Sequence, residues 1–151
     1  MAVLIAAALL ANGLAAGVLM GTVLGGVPLL LSLPPERYLE THRFLANRYE
    51  PFQPLCMLAT LACDVALVVV GPAAVRPLFA ASALLILAVI AISAGRNVPI
   101  KRWAIALDPA HLPGEWSDID PRRRWARWNT IRTAAAVLAF ALNVLAATLL
   151  R

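Results

Sequence analysis

Four side chains are of types that do chemistry in a chain where such groups are scarce: His42, Asp64, Asn129 and Arg132. His42 is one of two histidines and the natural general base, because an imidazole titrates closest to neutral pH. Arg132 follows Asn129 by three positions, so on a helix both reach one polar pocket, and Trp125, four positions before Asn129, joins them. A guanidinium placed there could hold a phenolate, an enolate or a carboxylate. Arg43, Tyr49 and Gln53 beside His42, Asn97 further on, and Trp125 and Trp128 complete a set of substrate-binding candidates. Blander roles compete: His42 and His111 as exposed loop histidines, and Arg127 and Arg132 as arginines snorkelling beside an aromatic belt.

Asp64 is the strongest single anomaly, since it lies midway along an apolar segment where an unpaired carboxylate is costly. It reads either as a functional acid that handles a proton or binds a ligand, or as a carboxyl hydrogen-bonded to Thr60, Asn12 or Asn143. Cys56, Met57, Cys63 and Met20 raise copper(I) as an alternative, because thiolates and thioethers are soft ligands. Their spacing matches no metal motif, and buried cysteines are ordinary small hydrophobes. Cys56 and Cys63 are seven residues apart, roughly 10 Å on a helix, too far for a mutual disulfide. No Walker sequence, HExxH, CxxC or dinucleotide glycine pattern occurs, so no cofactor is expected.

The elements that must position these groups are membrane helices. The 151 residues are 62% hydrophobic and 14% charged, far from the balance of a soluble domain. Four stretches, at about 3–31, 54–70, 78–95 and 130–150, reach roughly the 20 residues needed to cross hydrocarbon. "SLPPERY" closes the first, "VVGPAAVRP" separates the second and third, and "GRNVPIKRW" ends the third. These signals define one membrane domain, an all-α or mainly α four-helix bundle, with polar connections 32–53 and 96–129 on one side. The first connection can form a short amphipathic helix, with Tyr38, Phe44 and Leu45 free for the interface. In the second, Asp120 can cap the fourth helix, Pro121 can take its first position, and Trp125 and Trp128 fall at headgroup depth.

The net charge of +5 does not point to nucleic acid, because the basic residues flank apolar spans and form no aromatic-interleaved surface. Most lie in the two long connections, leaving Arg76 and Arg151 opposite, so the positive-inside rule puts those connections in the cytoplasm and both termini outside an inner or plasma membrane. Gly13, Gly17, Gly21 and Gly25 fall four apart in the first span, a stripe that invites close approach of another helix.

The polar "HRFLANRYEPFQP" before the second helix, "GRNVPIKRW" after the third and the WxxWNxxR run of Trp125, Trp128, Asn129 and Arg132 resemble a family of small integral membrane proteins, domain of unknown function 1772 or anthrone oxygenase-like. The resemblance covers most of the chain, and Lys101 replaces a second asparagine often found after the Asn97 and Pro99 pair. It implies a claudin-like bundle in which loop segments form a small sheet. It also implies a monooxygenase activity on a lipophilic phenolic or anthrone-like molecule, with dioxygen as co-substrate and neither flavin nor haem. In that reading His42 is the base, Arg132 with Asn129 stabilises the enolate, and the tryptophans form an apolar wall.

Three functional classes then make different structural expectations. A membrane oxygenase requires a cavity reaching His42, Asn129 and Arg132. A small-molecule or ion-binding protein of a transport-related kind centres on Asp64 and would need a homo-oligomer to complete a route. A purely structural membrane protein requires a filled core without a cavity.

Overall fold

Two prolines inside long helices set the shape of the chain. Pro28 and Pro99 each lack an N–H and carry a ring that crowds the preceding turn, which ordinarily breaks a helix. In the computed structural model, which describes residues 1–112 and 114–150, each proline is preceded by one widened π-helical turn, Thr22–Gly26 and Ser93–Asn97. Val27 N–H reaches the Thr22 carbonyl and Val98 N–H the Ser93 carbonyl, so the hydrogen-bond ladder skips a residue just ahead of the proline. The first and third membrane helices therefore run on unbroken as α1 (Ala2–Ser32) and α4 (Arg76–Ala106). The stop expected at "GRNVPIKRW" is a bulge within a helix, and α4 carries Asn97 and Lys101 on past the predicted end.

The other elements are α2 (Pro35–Tyr49), α3 (Phe52–Val70), the short α5 (Trp116–Ile119) and α6 (Arg122–Leu149). Four helices are long and apolar enough to cross a membrane, and no strand occurs among the described residues, so the loop sheet implied by the resemblance is absent there. The helices form a ring in which α1 packs on α3 and α6, and α4 packs on α3 and α6. Leucines and valines such as Val3, Leu10, Leu24, Val69 and Leu84 stand well exposed on the outside, where lipid takes the place of a protein partner. The chain is an integral membrane protein.

The turn between α3 and α4 is tight. A Cβ on Gly71 would sit 2.4 Å from the Leu67 carbonyl oxygen, so only glycine fits, and Arg76 Nε donates to the Gly71 carbonyl at 2.8 Å. At the opposite end two arginines act as helix caps. Arg43 Nη2 donates to the Ile105 and Leu107 carbonyls at the end of α4, at 2.8 and 3.1 Å. Arg122 Nη1 donates to the Leu33 carbonyl at the end of α1, at 2.6 Å, while its Nε is held by Asp120. Cations at helix C-termini oppose the macrodipole and satisfy orphan carbonyls. Asp120 also accepts from the Arg122 backbone N–H, as the capping pattern predicted, with Pro121 one position earlier than expected. Arg151, counted in the charge asymmetry, lies outside the described residues.

The glycine stripe does not serve as the bundle's contact surface. A Cβ on Gly17, Gly21 or Gly25 would meet nothing within 4 Å, and only Gly13 abuts a neighbour, Phe140 at 3.2 Å. Close contact is made about one residue round the helix, by Ala8, Asn12, Ala15, Ala16 and Leu19. Alanine is small enough for near approach and keeps full helix propensity.

Candidate functional site

α2 lies across the loop end of the bundle, in contact with α1, α3 and the end of α4. Its amphipathicity differs from the expectation at Tyr38: Tyr38, Leu39, His42 and Ala46 turn inward, while Phe44 is exposed as an interfacial residue would be. Burial of Tyr38 raises its phenol well above the ordinary range. Behind His42 stands an aromatic shell. Tyr38 and Trp125 flank the imidazole at 5.3 and 5.4 Å between centroids, and Trp116 and Trp103 continue outward at 6.0 Å steps. Trp125 is thus a buried wall and not a headgroup anchor.

In front of His42 is a cavity of about 300 Å³ between α2, α3, α4 and α6. Leu45, Met57, Leu58 and Ile90 make much of its lining apolar, and the polar side chains reaching it are Thr22, His42, Tyr49, Glu50, Gln53, Ser93, Asn97, Lys101 and Arg132. That mixture of apolar walls and a few convergent polar groups is the composition of a small-molecule site. A filled core, the expectation for a purely structural protein, is not what the bundle has.

Arg132 is fixed from two sides. Its Nε and Nη2 donate to Asn129 Oδ1 at 3.1 and 2.7 Å, and its Nη1 donates to Ser93 Oγ at 2.9 Å. None of these partners is charged, and among the described residues Arg132 makes no ion pair. The π turn supplies both Ser93 for this clamp and Asn97, whose amide nitrogen and oxygen are buried without a partner. Lys101, one turn further along α4, is bonded to Glu50. Burial, reinforced by the Lys101 charge, pushes the His42 imidazole down to about 4, and its Nδ1 has no hydrogen-bond partner. The side chain is therefore neutral near pH 7.

Six of the expected site residues, His42, Tyr49, Gln53, Asn97, Trp125 and Arg132, come together around this cavity. Asn129 acts through Arg132 and does not line it. Arg43 caps α4, and Trp128 stacks under Arg96 at 5.1 Å; neither lines the cavity. Asp64 lies deeper in the bundle, with Ser82 as its partner, while Thr60 turns to the Cys56 carbonyl. Cys56 and Cys63 are free thiols, and among the described residues no group of three or more His, Cys, Asp or Glu is placed to hold a metal ion. His111 is exposed and bonded to Asp108. The residues missed from sequence are Ser93 and Lys101. Ser93 lies in an apolar run and Lys101 reads as one more charge of the long connection, so neither stands out from its neighbours.

Fold and site together define a membrane-embedded four-helix protein with a ligand-sized chamber at the loop end and a clamped, unpaired arginine in its wall. A family model described as anthrone oxygenase matches residues 43–142, well over half of the chain. The chain belongs to the anthrone oxygenase family. No curated protein and no solved structure matches it.

Proposed function

We propose that this protein is a cofactor-independent membrane oxygenase that admits a lipophilic phenolic or anthrone-like molecule to the chamber and oxidises it with dioxygen. The observation that carries this reading is Arg132: a guanidinium held by neutral partners, without a carboxylate, in the wall of a mainly apolar cavity. Such a cation stabilises an anion formed opposite it, and low local polarity strengthens the attraction. Lys101 lines the same cavity but is paired with Glu50, which leaves Arg132 as the cation without a carboxylate among the described lining residues. Burial, with the Lys101 charge second, disfavours a proton on His42 and makes it a weak base, and Arg132 opposite the substrate favours loss of the proton that the imidazole accepts.

The balance closes with dioxygen alone. A benzylic CH₂ loses a proton to His42, and the resulting carbanion, delocalised onto the phenolic oxygens opposite Arg132, forms a C–O bond with dioxygen. Protonation by His42 gives a hydroperoxide. Loss of the remaining C–H proton with cleavage of the O–O bond leaves a carbonyl and releases water. The carbon gives up four electrons and dioxygen accepts four.

The test is oxygen uptake by purified protein in detergent with an anthrone substrate, with product mass analysed under ¹⁸O₂. One labelled oxygen should enter each product molecule. Arg132→Met should lower kcat/KM about 10²–10³-fold, with Arg132→Lys recovering part of the loss. Turnover unchanged in Arg132→Met would overturn the assignment.

A further inference from the structure

We propose that a second site lies at the middle of the bundle, where Asn12, Asp64, Ser82 and Asn143 bind one dehydrated monovalent cation of about the size of sodium. Each of the four membrane helices contributes one of these residues, and none is more than 1% exposed. They form a layer. On one side lie Ala8, Leu67, Phe79 and Ala146; on the other Ala15, Ala16, Met57, Ile86, Ala136 and Ala139. Asn12, Ser82 and Asn143 each fall three or four positions from the nearest apolar residue of both clusters, and Asp64 lies three positions from Leu67 and seven from Met57, between the same two layers. Side-chain contacts agree: Ser82 Oγ is 3.3 Å from the Ala139 carbonyl oxygen, and Gly13, beside Asn12, abuts Phe140.

Ser82 Oγ donates to Asp64 Oδ2 at 2.6 Å, a short hydrogen bond across two helices. Asp64 has no ion-pair partner among the described residues. Asn143 faces the same carboxyl without completing a hydrogen bond. Five buried atoms are left without a partner: Asp64 Oδ1 and the amide oxygens and nitrogens of Asn12 and Asn143. A carboxyl between apolar layers stays ionised only with a counter-charge, and orphaned polar atoms gathered at one level mark a missing ion or water. The donors at hand are one carboxylate, two amide oxygens and a hydroxyl. Oxygen donors suit a hard cation, and one negative charge neutralises one positive charge.

The experiment compares thermal midpoints of the purified protein in detergent, in sodium, potassium and N-methylglucamine chloride at equal ionic strength, together with retention of sodium-22. Sodium should raise the wild-type midpoint by about 4 °C over N-methylglucamine, and sodium-22 should be retained near one per chain. Asp64→Asn should abolish the shift, Asn143→Ala should raise the sodium concentration needed for half the shift about fivefold, and Arg132→Met should leave the shift intact. An equal sodium shift in Asp64→Asn overturns the proposal. So does the absence of retained sodium-22 on the wild type, whatever the variants do, in which case the layer holds water around a protonated acid.

Discussion

His42 was legible as a residue that matters but not in its state. Its sequence neighbours, Thr41 and Arg43, do not indicate that α2 turns the imidazole inward between Tyr38 and Trp125. Burial and the Lys101 charge hold it near 4, against 6.5 for an exposed histidine. Between those values the unfolded chain binds a proton that the folded chain does not, so the folded state loses stability as pH falls from 6.5 toward 4, by up to roughly 3 kcal/mol. Above 6.5 the contribution is flat. Thermal midpoints in detergent across pH 4–7 should therefore drop more steeply in the wild type than in His42→Gln, and parallel curves would contradict the buried neutral state. Arg132 differs in being readable with its main partner: three positions on a helix place Asn129 beside it wherever that helix sits. Its other partner, Ser93, is 39 positions away, and such a pairing exists only once α4 and α6 pack together.

At the scale of elements, the two π turns matter most. A proline two positions after each widened turn is the local cause, and the consequence in α4 is that Ser93 and Asn97 both face the chamber. The sequence signal, GRNVP, is the same one that marks a helix end, because proline and glycine interrupt the regular ladder in either outcome. Whether the chain stops or widens by one residue depends on the packing of α6 against the turn and of α2 against the helix that follows it. Gly95 separates the two effects, since a Cβ there would meet nothing within 4 Å. Gly95→Ala should leave the fold intact and gain up to about 1 kcal/mol from helix propensity. Deleting Gly95 restores an ordinary helical register and turns Ser93 about 100° relative to Lys101. Circular dichroism should report unchanged helix content in the deletion while oxygen uptake is lost; uptake retained at the wild-type rate would show that the bulge does not position the site.

For the molecule as a whole, the polar and apolar layers decide which surfaces face inward. The glycine stripe of α1 points outward past Gly13, so Gly17→Leu and Gly21→Leu should leave the thermal midpoint within about 2 °C, whereas Gly13→Leu, pressed on Phe140, should cost about 1–3 kcal/mol. Light scattering in detergent checks the same variants: a change of particle mass in Gly17→Leu would mean that a second chain uses the stripe. What the sequence by itself determined is the membrane class, four spans, the turn between the second and third of them and the short roster of polar residues, because these follow from hydropathy over about 20 residues and from local backbone rules. It also carried the family through the WxxWNxxR run. Only the tertiary structure decided which polar residues share a chamber, which are caps and which form a layer. Arg43 and His42 are neighbours in the chain, yet one closes a helix end and the other lines the cavity. Asp64 and Arg132, paired in the sequence reading as catalytic candidates, belong to different levels of the bundle. A rotation of one residue turns a helix by about 100°, so the face each side chain presents is set by long-range contact between helices.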